Sequence, residues 1–128
     1  MFALSDISEA HKHVKSGADF PVYAHALREM WVTSYDTFVS DGHAVYIGNT
    51  EPLISPPKYD SLTVAVSPGK EKFLEKLRLH QSGGTDYMTF CRDCAENGIE
   101  KWTLDMTART CTYYDISGNS LYTEHFGK

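Results

Sequence analysis

The residue types and spacings most suited to chemistry fall in one stretch of this chain, His80 to Asp115. Cys91 and Cys94 form a Cys-x-x-Cys pair, Cys111 follows, and His80 and Asp86 flank the pair Gly83-Gly84. A redox pair needs its first thiol at a helix N-terminus, where the dipole and free N–H groups lower its pKa. Asp86 is placed to cap the helix that carries Cys91, so this thiol lies more than one turn inside. Zinc needs four ligands, and His80, Cys91, Cys94 and Cys111 can be nominated. Their spacing is not that of a knuckle or ribbon. Both helix cysteines fall on the apolar stripe of Tyr87 and Phe90, which predicts small, buried, reduced and metal-free core thiols.

A histidine and an aspartate near a cysteine are raw material for a hydrolase or transferase, with His80, Asp86 and Cys111 as the catalytic set. The same residues have a structural use. A histidine in a helix's last turn suits the negative end of the dipole, and an aspartate before the next helix is a cap. The segment Gln81-Ser82-Gly83-Gly84-Thr85 could face an anion with a helix N-terminus, but it lacks the lysine and spacing of a phosphate loop.

A third set is strand-borne. Trp102, Leu104, Cys111 and Tyr113 alternate with Thr103, Asp105, Thr112 and Tyr114, so the first four are expected under helices and the rest on the opposite face. With Lys101, that face is a polar and aromatic surface suited to recognition. Thr103, Asp105, Tyr114, Tyr122 and Glu124 are the predicted ligand-binding residues.

The elements that position these groups follow from punctuation and period. Ser5 opens a helix through Ile7, Ala10 and Val14 that Gly17 ends, and Asp19 caps a second through Tyr23 and Leu27. From Val32 the period becomes two. Asp41-Gly42 then marks a tight hairpin pairing Val39 with Ala44 and Thr37 with Tyr46. Pro52, Pro56 and Pro57 make 49–59 a loop or edge crossing. Leu62–Val66 reads as a strand, and Ser67-Pro68 as a helix start. Asp86 caps the next helix, Asn97-Gly98 ends it, and three strands to Phe126 close the chain.

The chain also resembles itself. At an offset of 67 positions His13 meets His80, Gly17 meets Gly84, Asp19 meets Asp86, Glu29 meets Glu96 and Tyr46 meets Tyr113. Aromatic, cap and turn positions coincide as well. The expected fold is therefore α+β, one domain of two similar units at about 5–59 and 62–128. Each is a tandem helix–helix–hairpin unit, with helices packed on an antiparallel sheet. Recurrence of the histidine and aspartate favours a turn, since a turn is needed twice and an active site once.

At 128 residues, with 41% hydrophobic and 23% charged residues, the chain can bury a sizeable core. A net charge of −5 argues against a nucleic-acid binder. Three cysteines, no export-like start and no bilayer-length apolar run predict a cytoplasmic protein without membrane contact.

His80-Gln81-x-Gly83, Asp86-Tyr87-x-Thr89-Phe90-Cys91, Gly98-Ile99-x-x-Trp102 and Thr110-Cys111-Thr112-Tyr113-Tyr114-Asp115 resemble the YbcV/YdfO-like family of bacterial proteins, a family of unknown function. Its members are sometimes labelled phage envelope proteins. The first half is similar around Gly17–Pro21 and Tyr35–Gly48. The resemblance implies a phage-linked accessory role and brings no activity. Cys94 stands where the family pattern leads one to expect alanine, so no Cys-x-x-Cys function is implied. The expected function is a small binding protein for a small molecule or protein partner, a second copy included, with no cofactor. A hydrolase or transferase is the alternative.

Overall fold

The structure is a computed structural model that describes residues 5, 7, 9, 20–48 and 51–125. Ser5, Ile7 and Glu9 are helical and Ile7 is buried. The rest of the expected first helix, with His13, Gly17 and the cap Asp19, lies outside the described residues. The described elements are α1 (Phe20–Glu29), β1 (Val32–Phe38), β2 (Ala44–Gly48), β3 (Leu53–Ile54), α2 (Lys70–Gln81), α3 (Tyr87–Glu96), β4 (Lys101–Asp105), β5 (Thr110–Tyr114) and β6 (Ser120–His125). The strands form one antiparallel sheet in the order β3-β2-β1-β4-β5-β6. Two three-stranded meanders thus meet along the β1–β4 seam, which makes an α+β fold.

One face of this sheet is the floor of the core. The buried row Tyr46, Tyr35, Leu104, Cys111 crosses four strands, and Ala44, Thr37, Trp102, Tyr113 forms the row beside it. Tyr23 of α1 meets Tyr35 edge to face at 6.3 Å. Phe90 of α3 packs 5.7 Å from Trp102, and Phe73 of α2 lies 4.9 Å from Tyr113. Cys91 and Cys94 are wholly buried on the inner side of α3. Aromatic rings supply much of this core because each buries a large area with few torsions to freeze.

Several local expectations are corrected. The β1–β2 turn spans four residues, not two: Gly42 N–H donates to the Phe38 carbonyl, Phe38 N–H to the His43 carbonyl, and Tyr35 faces Tyr46. Asp41 Oδ1 accepts the His43 backbone N–H at 3.0 Å, which fixes the wider turn. Gly42 has φ 77°, and a Cβ there would come within 2.6 Å of the Tyr59 ring, so glycine is required on both counts. Leu62–Val66 is not a strand. Its N–H groups at Leu62 and Ala65 donate to Ser40 and Ala95 carbonyls, so the segment ties the hairpin tip to the end of α3.

The helix expected from Ser67-Pro68 begins at Lys70, with Gly69 as a cap lacking a side-chain bond. Ser67 and Pro68 are instead packed against Gly98, where a Cβ would lie 2.7 Å from Pro68 Cα. Gly69 N–H donates to the Asn97 carbonyl at 2.9 Å.

Candidate binding face of the sheet

The opposite face of the sheet carries no described helix, and cross-strand pairing sets its side chains in rows. Phe38, Lys101 and Tyr114 make one row; Asp36, Thr103, Thr112 and Thr123 make the next; Ser34, Asp105, Thr110 and His125 make the third. Lys101 Nζ lies 5.6 Å from the Phe38 ring centre and 5.4 Å from that of Tyr114, a cation held between two aromatic faces. It also sits 3.8 Å from Asp36 Oδ2. The Thr103 hydroxyl donates to Asp36 Oδ1 at 2.5 Å across the seam. At the hairpin end His43 stacks on Phe38 with centroids 4.4 Å apart, and its Nδ1 lies 2.6 Å from Asp41 Oδ1. Hydrogen bonds from His43 hold the Asp41 carboxyl below the usual carboxylate range.

Thr103, Asp105 and Tyr114 therefore stand where the strand alternation puts them. Tyr122 and Glu124 do not. The turn Asp115–Asn119 starts β6 in a register that would keep both on the open face, with Tyr114 opposite Ser120. A bulge follows, and Tyr113 faces Tyr122 while Cys111 faces Glu124. One extra residue reverses every later side chain. Glu124 turns under the helices, where it accepts the Tyr113 hydroxyl at 3.0 Å and Gln81 Nε2 at 2.9 Å. Tyr122 packs over Tyr113 at 6.4 Å.

His80, Asp86 and Cys111 have separate occupations. The buried His80 ring stacks on Phe90 at 4.3 Å, and its Nδ1 lies 3.1 Å from the Thr85 carbonyl. Burial lowers its pKa, partly offset by that carbonyl and by the charges of Asp86 and Asp93. Asp86 caps α3 by accepting the Thr89 N–H at 2.8 Å, and this bonding to Thr89 holds its carboxyl low. Cys111 lies in the sheet, where burial pushes its thiol up to about 12 against the bond with Tyr113. Among the described residues no hydrogen bond joins the three. Burial likewise raises Cys91 and Cys94, although the Tyr59 and Tyr87 hydroxyls bond to Cys91. Among the described residues no three His, Cys, Asp or Glu side chains gather as metal ligands.

Residues 8–125 match the model of a family described as proteins of unknown function, DUF1398. The chain belongs to this family. Uncharacterised proteins of Mycobacterium tuberculosis, strains H37Rv and CDC 1551, and of Mycobacterium bovis are 24% identical to it over 109 residues. That stretch covers 84% of this chain and 66% of theirs, just short of two thirds of the relatives' own length. Among the described residues of this DUF1398 chain no helix is long and apolar enough to cross a membrane.

Sequence reasoning missed part of the DUF1398 face. Asp36 and Phe38 join it only because β1 pairs with β4, a contact between residues more than sixty positions apart in sequence. His43 joins it through the four-residue turn. The available signal was alternation in β1, which sets Asp36 and Phe38 opposite the inward Tyr35 and Thr37.

Proposed function

We propose that this chain is a small binding protein whose outer sheet face, which carries no helix among the described residues, receives a small-molecule or protein partner. The observation that carries this is the row Phe38–Lys101–Tyr114, a cation fixed between two rings on three adjacent strands and flanked by Asp36 and His43. Such a row offers apolar area, charge and hydroxyl donors with little side-chain entropy left to lose on binding. The hydrolase or transferase alternative has no observation in its favour, since His80 Nδ1 and Asp86 Oδ1 are engaged in local bonds and the Cys111 thiol is buried. The phage-linked setting and the YbcV/YdfO-like assignment rest on the resemblance of the His80–Asp115 motifs alone. A photo-crosslinking residue placed at Thr112 should capture a cellular partner, whereas the same residue at Glu75, on the solvent side of α2, should not. Equal capture from both positions would reject the proposal.

We also infer that the two units, about 5–59 and 62–128, are copies of one ancestral unit. The β1–β4 register supports it: Asp36 pairs with Thr103, 67 positions away, the offset at which caps, turns and apolar positions of the two halves coincide. Tyr35 pairs with Leu104 and Thr37 with Trp102, the exchange that a local two-fold axis requires. Aligned family members should show matching apolar and turn preferences in columns 67 apart; independent preferences would count against descent from one unit.

A further inference from the structure

The binding face is not uniform, and its two halves differ in a way that selects a partner. On β2 and β3 it is apolar: Val45 stands beside Asp36, Ile47 is 43% exposed and Ile54 is 63% exposed. On β1, β4 and the hairpin end its charged groups are Asp36, Asp41 and Asp105 against Lys101. Lys101 is already committed to Asp36 and to the two rings, so it offsets that carboxylate. Asp41 is hydrogen-bonded to His43 at 2.6 Å, and among the described residues Asp105 is the carboxylate held only by backbone N–H groups. Asp105 accepts the N–H groups of Thr107 and Ala108 through Oδ1, which fixes the carboxylate without neutralising it. The chain as a whole carries −5, so its long-range field has the same sign as the face.

Resting on the proposed binding face, we infer that its partner is a basic polypeptide segment that also presents apolar side chains. The apolar residues lie over Val45, Ile47 and Ile54, and the lysines or arginines lie toward Asp36, Asp41 and Asp105. Charge complementarity of this kind sets partner choice and encounter rate more than total affinity. An acidic partner would meet the Asp105 carboxylate and a field of its own sign, and an uncharged one would forgo the field.

The test uses the isotope-labelled full chain, read by amide chemical shifts during titration with a short alternating lysine–leucine peptide. A glutamate–leucine peptide of equal length is the control. The lysine peptide should give saturable shifts at Val45, Ile47, Ile54, Asp36 and Asp105. Its affinity should fall about tenfold when ionic strength rises from about 0.05 to about 0.3 M. Asp105→Asn keeps the turn acceptor but removes charge, and should weaken binding about threefold; Lys101→Met should tighten it by a similar factor. Preferential binding of the glutamate peptide on this face would overturn the basic partner while leaving the face as a binding site. Lysine-peptide shifts confined to α2 and α3 would overturn both. Concentration-dependent shifts on the face without peptide would assign it to a second copy of the chain. Absence of saturable shifts with either peptide would also overturn the inference.

Discussion

Leu104→Ala and Lys101→Met lie three residues apart on β4, yet they should report on different parts of the molecule. Leu104 is 2% exposed, between Tyr35 and Cys111 on the core side. Truncating a buried leucine costs about 2–5 kcal/mol, with the upper part of the range where the cavity cannot collapse. Leu104 is held in the middle of the sheet between the Tyr35 ring and Cys111, where collapse is restricted, so about 3 kcal/mol is expected. For a chain of this size that corresponds to a fall in Tm of roughly 12 °C. Lys101 is a different case. Its ion pair with Asp36 spans 3.8 Å between side chains 30% and 27% exposed, so it contributes no more than about 0.5 kcal/mol after screening. Its two ring contacts add about 0.5 kcal/mol each at such exposure. Methionine keeps an apolar stem and a sulfur that favours aromatic neighbours, recovering part of the loss. The net cost should stay below about 1 kcal/mol. Urea denaturation followed by far-UV circular dichroism measures both. A Lys101→Met cost above about 2 kcal/mol would make the Phe38–Lys101–Tyr114 row a structural element and remove the reason to read it as a binding surface. A Leu104→Ala cost below about 1 kcal/mol would contradict the assignment of the inner face.

Other outcomes follow from strain, titration and burial. Trp31 adopts φ 69° at the end of α1 and is 62% exposed, so Trp31→Gly should relieve left-handed backbone strain and raise stability by about 1 kcal/mol; an unchanged or lower urea midpoint would argue that the indole makes a compensating contact. His80 has its pKa lowered by burial, so the folded state resists a proton that the unfolded chain binds near pH 6.5. Its stability contribution is therefore intact above that pH and declines as pH falls toward the lowered folded value; His80→Gln should flatten this part of the stability profile, and an unchanged slope would refute the assignment. All three thiols are buried and raised, so a disulfide-exchange reagent should label them at the rate of unfolding, and a rapid phase in native protein would show an accessible cysteine.

Local signals in the sequence located α1, α3, β1, β4 and β5 because each has a clear period or cap. Asp86 illustrates the strongest case: its side chain accepts the Thr89 N–H, the bond that its position before an apolar helical stripe implies. Ser67-Pro68 had the same kind of signal, but the helix starts two residues later, at Lys70, and Ser67 and Pro68 pack closely on Gly98 instead. Leu62–Val66 had strand composition, but its backbone N–H groups at Leu62 and Ala65 went to the Ser40 and Ala95 carbonyls rather than to a sheet edge. In both places a contact distant in sequence outweighed a local preference.

The two register errors show why the core was legible and the site only in part. The wider hairpin turn shifts the β1–β2 pairing by two residues, from Thr37 opposite Tyr46 to Tyr35 opposite Tyr46. Side-chain direction repeats every two residues, so Tyr35, Thr37, Ala44 and Tyr46 remain on the core face despite the wrong partners. The β6 bulge adds one residue, and the same geometry then sends Tyr122 and Glu124 to the other side. No residue in Ser120–His125 announces that bulge. It becomes intelligible only with α2 in place, because the inward Glu124 receives hydrogen bonds from Gln81 and from Tyr113. The proposed recognition surface therefore shifts away from the β6 edge toward the β1–β4 seam, where Asp36, Phe38, Lys101, Thr103 and Tyr114 lie together and each meander contributes residues to it.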